Sequence, residues 1–145
     1  MWIFRKIRSF SALPFSQKLL LTEVLLRFAI VEVALRFLPF KVVLKWLAAK
    51  GIQAKVDNPL DAAEAELKRV RVAIRMLGHY LPFIKCYNKA LTARLILRRK
   101  GYESTLFIGF KKDDKGLKGH AWLKANDLFI TGGYNHAEYQ VTATF

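Results

Sequence analysis

Residues 86–101 have the sequence CYNKALTARLILRRKG, in which both ends of a helix are marked. Residues 98–100 are cations that can bind the last carbonyl groups of a helix, and the glycine after them is the commonest helix-ending residue. Cys86 stands near the start. Ala90 and Ala93 follow it on the same side, and their small side chains would let that side approach a sheet closely. The stretch predicts a helix that begins near a cysteine and packs on a sheet.

The residues after this helix predict an antiparallel sheet, because apolar segments alternate with polar turns. The expected strands are Ser104–Phe110, Lys118–Ala125 and Leu128–Thr131, with a fourth at Gln140–Phe145 if that segment pairs. The expected turns are a polar one at Lys111–Gly116 and a tight one at Asn126-Asp127. In the second strand, alternation places His120 and Trp122 on one face and Ala121 and Leu123 on the other.

The residues before the cysteine predict helices. They run from Pro14 and Ser16 to about Leu38, from Phe40 to Lys50 with Gly51 as the stop, and from the N-cap Asn58 and Pro59 through Leu77. On the first helix the charged residues do not form one stripe, so its apolar surface faces two ways. That helix is either buried in its own domain or leaves one side for a partner protein or a membrane surface. The expected fold class is α+β: a helical region at 1–80 and a sheet-bearing core at 81–145, in one compact unit.

The chain is strongly basic, with 25 Lys+Arg against 11 Asp+Glu in 145 residues and a formal net charge of +14. Its length fits a single domain, and its charge predicts an anionic partner or surface. One cysteine cannot form an internal disulfide, and one cysteine with three histidines is too few ligands for the usual structural zinc sites. We expect no metal or cofactor. No apolar run predicts a membrane span or a cleaved signal peptide, and a reducing, cytoplasmic location fits best.

Cys86 and His120 are the residues best suited to chemistry. The unpaired backbone N–H groups of a helix start stabilise a thiolate, and a nucleophilic cysteine needs a base within hydrogen-bonding reach. A histidine on a strand that faces the helix start would supply that base. The competing interpretation is structural, because a lone cysteine in an apolar setting is commonly an inert core residue. His79 and His136 lie in breaks or turns and are less suited.

Residues 86–101, Leu106–Phe110 and Gly119–Trp122 together resemble the lasso-peptide B-protein family of transglutaminase-like cysteine peptidases. The cysteine, the basic helix end, the Ile-Gly strand and the His-Ala-Trp follow in the family's order, and the resemblance is strongest over residues 82–133. It implies that Cys86 attacks the peptide bond that joins leader to core in a ribosomally made precursor, with His120 as base and then acid.

The same resemblance implies further parts of the machinery. The backbone N–H groups of Cys86 and Tyr87 would be the oxyanion donors. The implied partners are the precursor leader peptide, a small leader-binding protein and an asparagine-synthetase-like cyclase.

One family position differs in this chain. The family has an aspartate about twelve residues after the histidine, and Gly132 stands there. With a two-residue turn at Asn126-Asp127, the register would place Gly133 opposite His120 and Thr131 diagonal to it. Asp127 would then lie roughly 20 Å from His120, too far to replace the aspartate. Thr131, Asn135 or a backbone carbonyl could orient the imidazole instead.

Two other functions stay open from the sequence. The missing aspartate and the two-sided first helix also suit a non-catalytic docking subunit of the lasso-peptide maturation complex. The positive charge suits adhesion to an anionic membrane, at the inner membrane face, or to nucleic acid. No motif for specific nucleic-acid recognition is present, so any affinity for nucleic acid would be generic.

Overall fold

The computed structural model describes residues 13–47 and 60–145, and the chain folds as α+β, as expected. The helices are α1 (Phe15–Phe37), α2 (Phe40–Leu47), α3 (Leu60–Tyr80) and α4 (Cys86–Arg99). The strands are β1 (Thr105–Asp113), β2 (Gly116–Ala125), β3 (Leu128–Thr131) and β4 (Gln140–Thr144), with a 3₁₀ turn at His136–Glu138. They form one antiparallel sheet in the order β3-β2-β1-β4, so the fourth strand does pair.

Helix α1 has apolar side chains on two opposite sides, which confirms the two-way apolar surface. One side is buried against α3 and α4 and comprises Leu20, Leu21, Val24, Phe28 and Val31. The other is an exposed row at helical spacing, here called the α1 stripe, comprising Phe15, Leu19, Leu26, Ile30, Val33 and Phe37. The helix therefore contributes to the core and also leaves apolar surface uncovered within the described residues.

Helix α4 is the centre of the core. Ala90 and Ala93 on it are fully buried, and the helix packs on β2 and β3 as their small side chains predict. It ends as expected: Gly101 has φ 80°, and the N–H of Tyr102 donates to the carbonyl of Leu97 at 2.9 Å. That pattern satisfies carbonyl groups which the helix would otherwise leave unpaired.

A buried arginine ties α4 to the sheet. Arg94 donates from Nη1 to the carbonyl oxygens of Ser104 and Phe145, at 2.8 and 2.9 Å. Burial, and then the charge of Arg98, lowers the pKa of the Arg94 guanidinium. These bonds fix the middle of the helix beside the residue that precedes β1 and the residue that follows β4.

The structure corrects one predicted turn, and two predicted helix ends lie outside the described residues. The polar turn at Lys111–Gly116 is wrong in length, because β1 continues to Asp113 and β2 begins at Gly116. Residues 114–115 make the turn, with Asp113 Oδ1 accepting from the N–H of Lys115 at 2.9 Å. The end of the second helix at Lys50 and Gly51, and the N-cap of the third at Asn58 and Pro59, lie outside the described residues.

Candidate active site

Cys86 is the first residue of α4 and is partly exposed. The first hydrogen bond of the helix runs from the N–H of Lys89 to the carbonyl of Lys85, so the N–H groups of residues 86–88 have no acceptor within the helix. No side chain caps this end, and its first turn has no acidic residue. The positive end of the helix is therefore available to an anion, either the thiolate or an oxyanion beside it.

Tyr87 fixes the start of α4 against β2. A Cβ atom at Gly119 would lie 2.5 Å from the Tyr87 hydroxyl, so a side chain at this position would displace that hydroxyl. Gly119 precedes His120, and the contact therefore brings the cysteine end of α4 to the level of the histidine. Burial, and then the charge of Cys86, raises the pKa of the Tyr87 phenol, which stays neutral at physiological pH.

His120 is buried on β2, and a backbone carbonyl orients its ring. Its Nε2 lies 2.9 Å from the carbonyl oxygen of Gly132. A carbonyl can only accept, so a neutral His120 carries its proton on Nε2 and has a free lone pair on Nδ1. The imidazole is thus held in the tautomer that a base acting through Nδ1 requires.

Residue 132 lies beside the His120 imidazole, where a residue that orients this ring is needed, although it is a glycine. A Cβ atom built on Gly132 would be 3.0 Å from His120 Nε2, and the carbonyl of Gly132 contacts that nitrogen at the position where the resemblance places an aspartate. The sequence left three groups that could orient the imidazole, namely Thr131, Asn135 and a backbone carbonyl, and the group in contact with His120 is the backbone carbonyl. Thr131 does not serve, because its Oγ1 is buried without a hydrogen-bond partner in the described residues. Asn135 does not serve either, because its side chain makes no hydrogen bond to His120 in the described residues.

The expected register beside His120 is wrong. Ala125 pairs with Leu128 as predicted, but a bulge between Leu123 and Lys124 shifts the pairing, and Thr131 lies opposite Leu123. β3 ends at that residue, and Gly132 turns with φ 67°. Gly133 therefore does not pair with His120. The bulge is what brings the Gly132 carbonyl to the imidazole.

The structure places Cys86 and His120 at the same end of the sheet but on different sides of it. Ala121 and Leu123 belong to the core that contains α4, so alternation puts the His120 side chain on the other face. No hydrogen bond joins the Cys86 sulfur to the imidazole in the described structure. β3 pairs with β2 only from Leu123 onward, and beyond that residue Gly132 lies against the edge of β2 at His120.

An aromatic cluster covers His120 on its own face of the sheet. The Tyr139 ring lies 4.8 Å from the imidazole, and the Trp122 ring 5.6 Å from it, stacked. The Lys111 ammonium lies over the outer face of Tyr139, 4.9 Å from the ring centre, and pairs with Glu138. Sequence reasoning missed Tyr139, because it lies in an irregular segment whose path no periodicity predicts.

No group of three or more His, Cys, Asp or Glu side chains within residues 13–47 and 60–145 is arranged to hold a metal ion. Over the same ranges, none of the helices has the length and apolar character needed to cross a membrane.

A cysteine at the start of a helix, packed on an antiparallel sheet that carries a histidine, defines the class of transglutaminase-like folds. The chain belongs to the transglutaminase-like superfamily, whose family model matches residues 34–144. That superfamily includes cysteine peptidases. Neither the curated proteins nor the solved structures gave a significant match.

Proposed function

We propose that this protein is a cysteine peptidase that removes the leader peptide from a ribosomally made lasso-peptide precursor. Membership of the transglutaminase-like superfamily supports the chemistry, and the resemblance over residues 82–133 supports the substrate. The observation that carries the proposal is the hydrogen bond from His120 Nε2 to the Gly132 carbonyl, which leaves Nδ1 free as the base.

The mechanism requires a movement that brings the Cys86 sulfur within hydrogen-bonding distance of His120 Nδ1, which then takes the thiol proton. The thiolate attacks the carbonyl carbon between leader and core, and the N–H groups of Cys86 and Tyr87 stabilise the oxyanion. The imidazolium then gives its proton to the leaving amine, and the carbon–nitrogen bond breaks. Water, deprotonated by the same imidazole, hydrolyses the thioester and releases the thiol.

The direct test is cleavage of the cognate precursor in the presence of its leader-binding protein. Cys86→Ala and His120→Ala should each lower the rate by about 10³-fold or more, as expected for members of a catalytic unit. His79→Ala is the matched control, since His79 is exposed at the end of α3. Cleavage by Cys86→Ala at the wild-type rate would refute the proposal.

The proposed partners are the precursor leader peptide, the leader-binding protein and an asparagine-synthetase-like cyclase, with cytoplasmic location and peripheral contact with an anionic membrane. The resemblance supports the protein partners, and the net charge of +14 supports the membrane contact. We propose no specific nucleic-acid partner. Co-purification of the leader-binding protein with this chain tests the assembly.

A second candidate is a non-catalytic docking subunit of the same complex. Two observations favour it: no side-chain carboxylate orients His120, and Cys86 makes no hydrogen bond to the imidazole in the described structure. This candidate predicts a stable complex with the leader-binding protein and no labelling of Cys86 by a thiol-directed peptide probe. Labelling at neutral pH that depends on His120 would exclude it.

A further inference from the structure

A cavity of about 560 Å³ opens beside the start of α4. Residues of α1, α2, α4, β1 and the turn before α4 line it, so the cavity is a feature of the assembled fold. Lys85 and Tyr87, the two chain neighbours of Cys86, both contribute to its wall. The cavity therefore lies next to the residue that the carbonyl carbon of the peptide has to reach.

The walls of the cavity are aromatic. Phe40, Phe83, Tyr87 and Phe110 line it, and Phe40 meets Tyr87 edge to face with ring centres 5.1 Å apart. The Phe83 side chain is 57% exposed, which leaves one wall largely uncovered when the cavity is empty. An apolar side chain that entered would remove this aromatic surface from water, which favours binding.

The rim of the cavity is cationic. Arg36 and Lys85 are exposed there, and neither forms an ion pair with a carboxylate in the described part of the chain. The carboxylate of Glu32 also lines the cavity, but its Oε2 accepts from Asn88 Nδ2 at 2.8 Å. This bond engages one oxygen of the Glu32 carboxylate, and neither Arg36 nor Lys85 forms an ion pair with Glu32 in the described residues. The rim is therefore complementary to an acidic group.

We propose that this cavity is a substrate subsite, which takes a large apolar side chain of the peptide and holds an adjacent acidic residue at Arg36 and Lys85. The inference rests on the proposed peptidase function, because it assigns the specificity of that site. It also identifies the occupant by chemistry alone: an apolar residue beside an acidic one, close to the cleaved bond.

The test uses the full chain and tripeptide acyloxymethyl ketones, which alkylate a cysteine thiolate and lose a carboxylate. Phe, Leu, Ala and Lys are placed in turn at each position, and a second set carries Asp or Lys beside Phe. At one position, the Phe probe should label Cys86 about tenfold faster than the Ala probe, the selectivity expected of an apolar pocket. The neighbouring Asp should raise that rate, and high salt should remove the gain.

Two variants test the aromatic walls: Phe110→Ala and Phe83→Ala. Each should reduce the Phe-over-Ala preference to about threefold or less, since each removes contact area from the occupant. Arg36→Gln combined with Lys85→Gln should abolish the preference for Asp. Leu117→Ala is the control, because Leu117 is 72% exposed on β2 and does not line the cavity. Iodoacetamide, which has no peptide part, should label all these proteins equally.

The outcomes distinguish a failure of the subsite proposal from a failure of the peptidase proposal. If His120→Ala abolishes rapid labelling but Phe and Ala probes react equally at every position, the subsite is refuted and the peptidase stands. If His120→Ala leaves labelling unchanged, the peptidase is refuted. In that case, the subsite is tested by binding alone. Fluorescence anisotropy measures the affinity of a labelled Phe-Asp peptide for the Cys86→Ala protein and for the Cys86→Ala/Phe110→Ala protein, and equal affinities refute the subsite.

Discussion

At the scale of single residues, Gly132 holds the His120 imidazole with its own carbonyl, and the backbone conformation at residue 132 favours glycine. Its φ is 67°, and a Cβ atom there would lie 2.7 Å from the carbonyl oxygen of Ala121. An aspartate therefore cannot be restored without displacing the strand that carries His120. Orientation by the backbone is thus a property of this local conformation, and it does not need a third side chain.

We expect Gly132→Asp to destabilise the protein by about 2 kcal/mol, because it combines a positive φ with a close contact. The measurement is the urea midpoint of unfolding. Gly116→Ala is the matched control. The φ of Gly116 is 113°, but no atom lies within 4 Å of the added Cβ, so this variant measures the cost of the backbone strain without the cost of the close contact. A Gly132→Asp protein that is as stable as wild type and cleaves faster would contradict this account.

Tyr139 is expected to act on the reaction through His120. Replacing it with leucine removes a ring that contacts the imidazole in a tilted arrangement and should slow labelling of Cys86 by a peptide probe by about three- to tenfold, the value of one aromatic contact. Tyr139→Phe keeps the ring and should stay within about twofold of wild type. Equal rates for Tyr139→Leu and Tyr139→Phe would show that this ring contact does not position the histidine.

At the scale of elements, what the sequence could predict depended on local signals. Helix α4 and the turn at Asn126-Asp127 were predictable, because a helix stop and a two-residue turn are set by the residues that form them. The contact between His120 and Gly132 was not predictable. It follows from a bulge at Leu123, and a one-residue shift in pairing has no marker in the alternation of apolar residues.

The ion pair between α1 and α4 gives a prediction about pH. Glu23 accepts from Arg99 Nε and Nη2, both at 2.6 Å, and from Arg27 at 3.0 Å. Burial tends to raise the pKa of the Glu23 carboxyl, but the hydrogen bonds from Arg99 and Arg27 prevail and hold that pKa below its usual value. A lowered pKa stabilises the fold above the unfolded-state pKa, and this stabilisation disappears as the pH falls through the folded-state pKa.

Glu23→Gln should therefore cost about 1 kcal/mol near neutral pH, since Arg99 is largely exposed, and progressively less as the pH is lowered below about 4.5. Urea unfolding at a series of pH values measures this difference. Glu64→Gln is the control, because Glu64 pairs with Lys68 on the solvent-exposed side of α3 and its loss should change stability very little. A cost for Glu23→Gln that grows as the pH falls would reverse the sign and refute the argument.

At the scale of the whole molecule, positive charge and uncovered apolar surface occur together. The net charge is +14, and the α1 stripe runs the length of a 23-residue helix. On α2, Lys41 and Lys45 are exposed, and Trp46 is 69% exposed. Attraction to anionic lipid brings such a surface to the membrane, and burial of apolar side chains between the head groups keeps it there. Neither effect alone binds strongly at physiological salt.

We therefore expect the wild-type chain to float with phosphatidylcholine vesicles that contain phosphatidylserine, and to dissociate from them at high salt because the charges are screened. Leu26→Ser with Ile30→Ser should weaken binding at low salt as well, since it removes apolar area from the α1 stripe without changing the charge. Val141→Ser, at an exposed position on β4, is the control. If all of the protein remains unbound to vesicles at low salt, the proposed membrane contact is wrong and the positive charge serves a protein partner. If binding to the vesicles persists at high salt, burial of apolar side chains alone accounts for the binding.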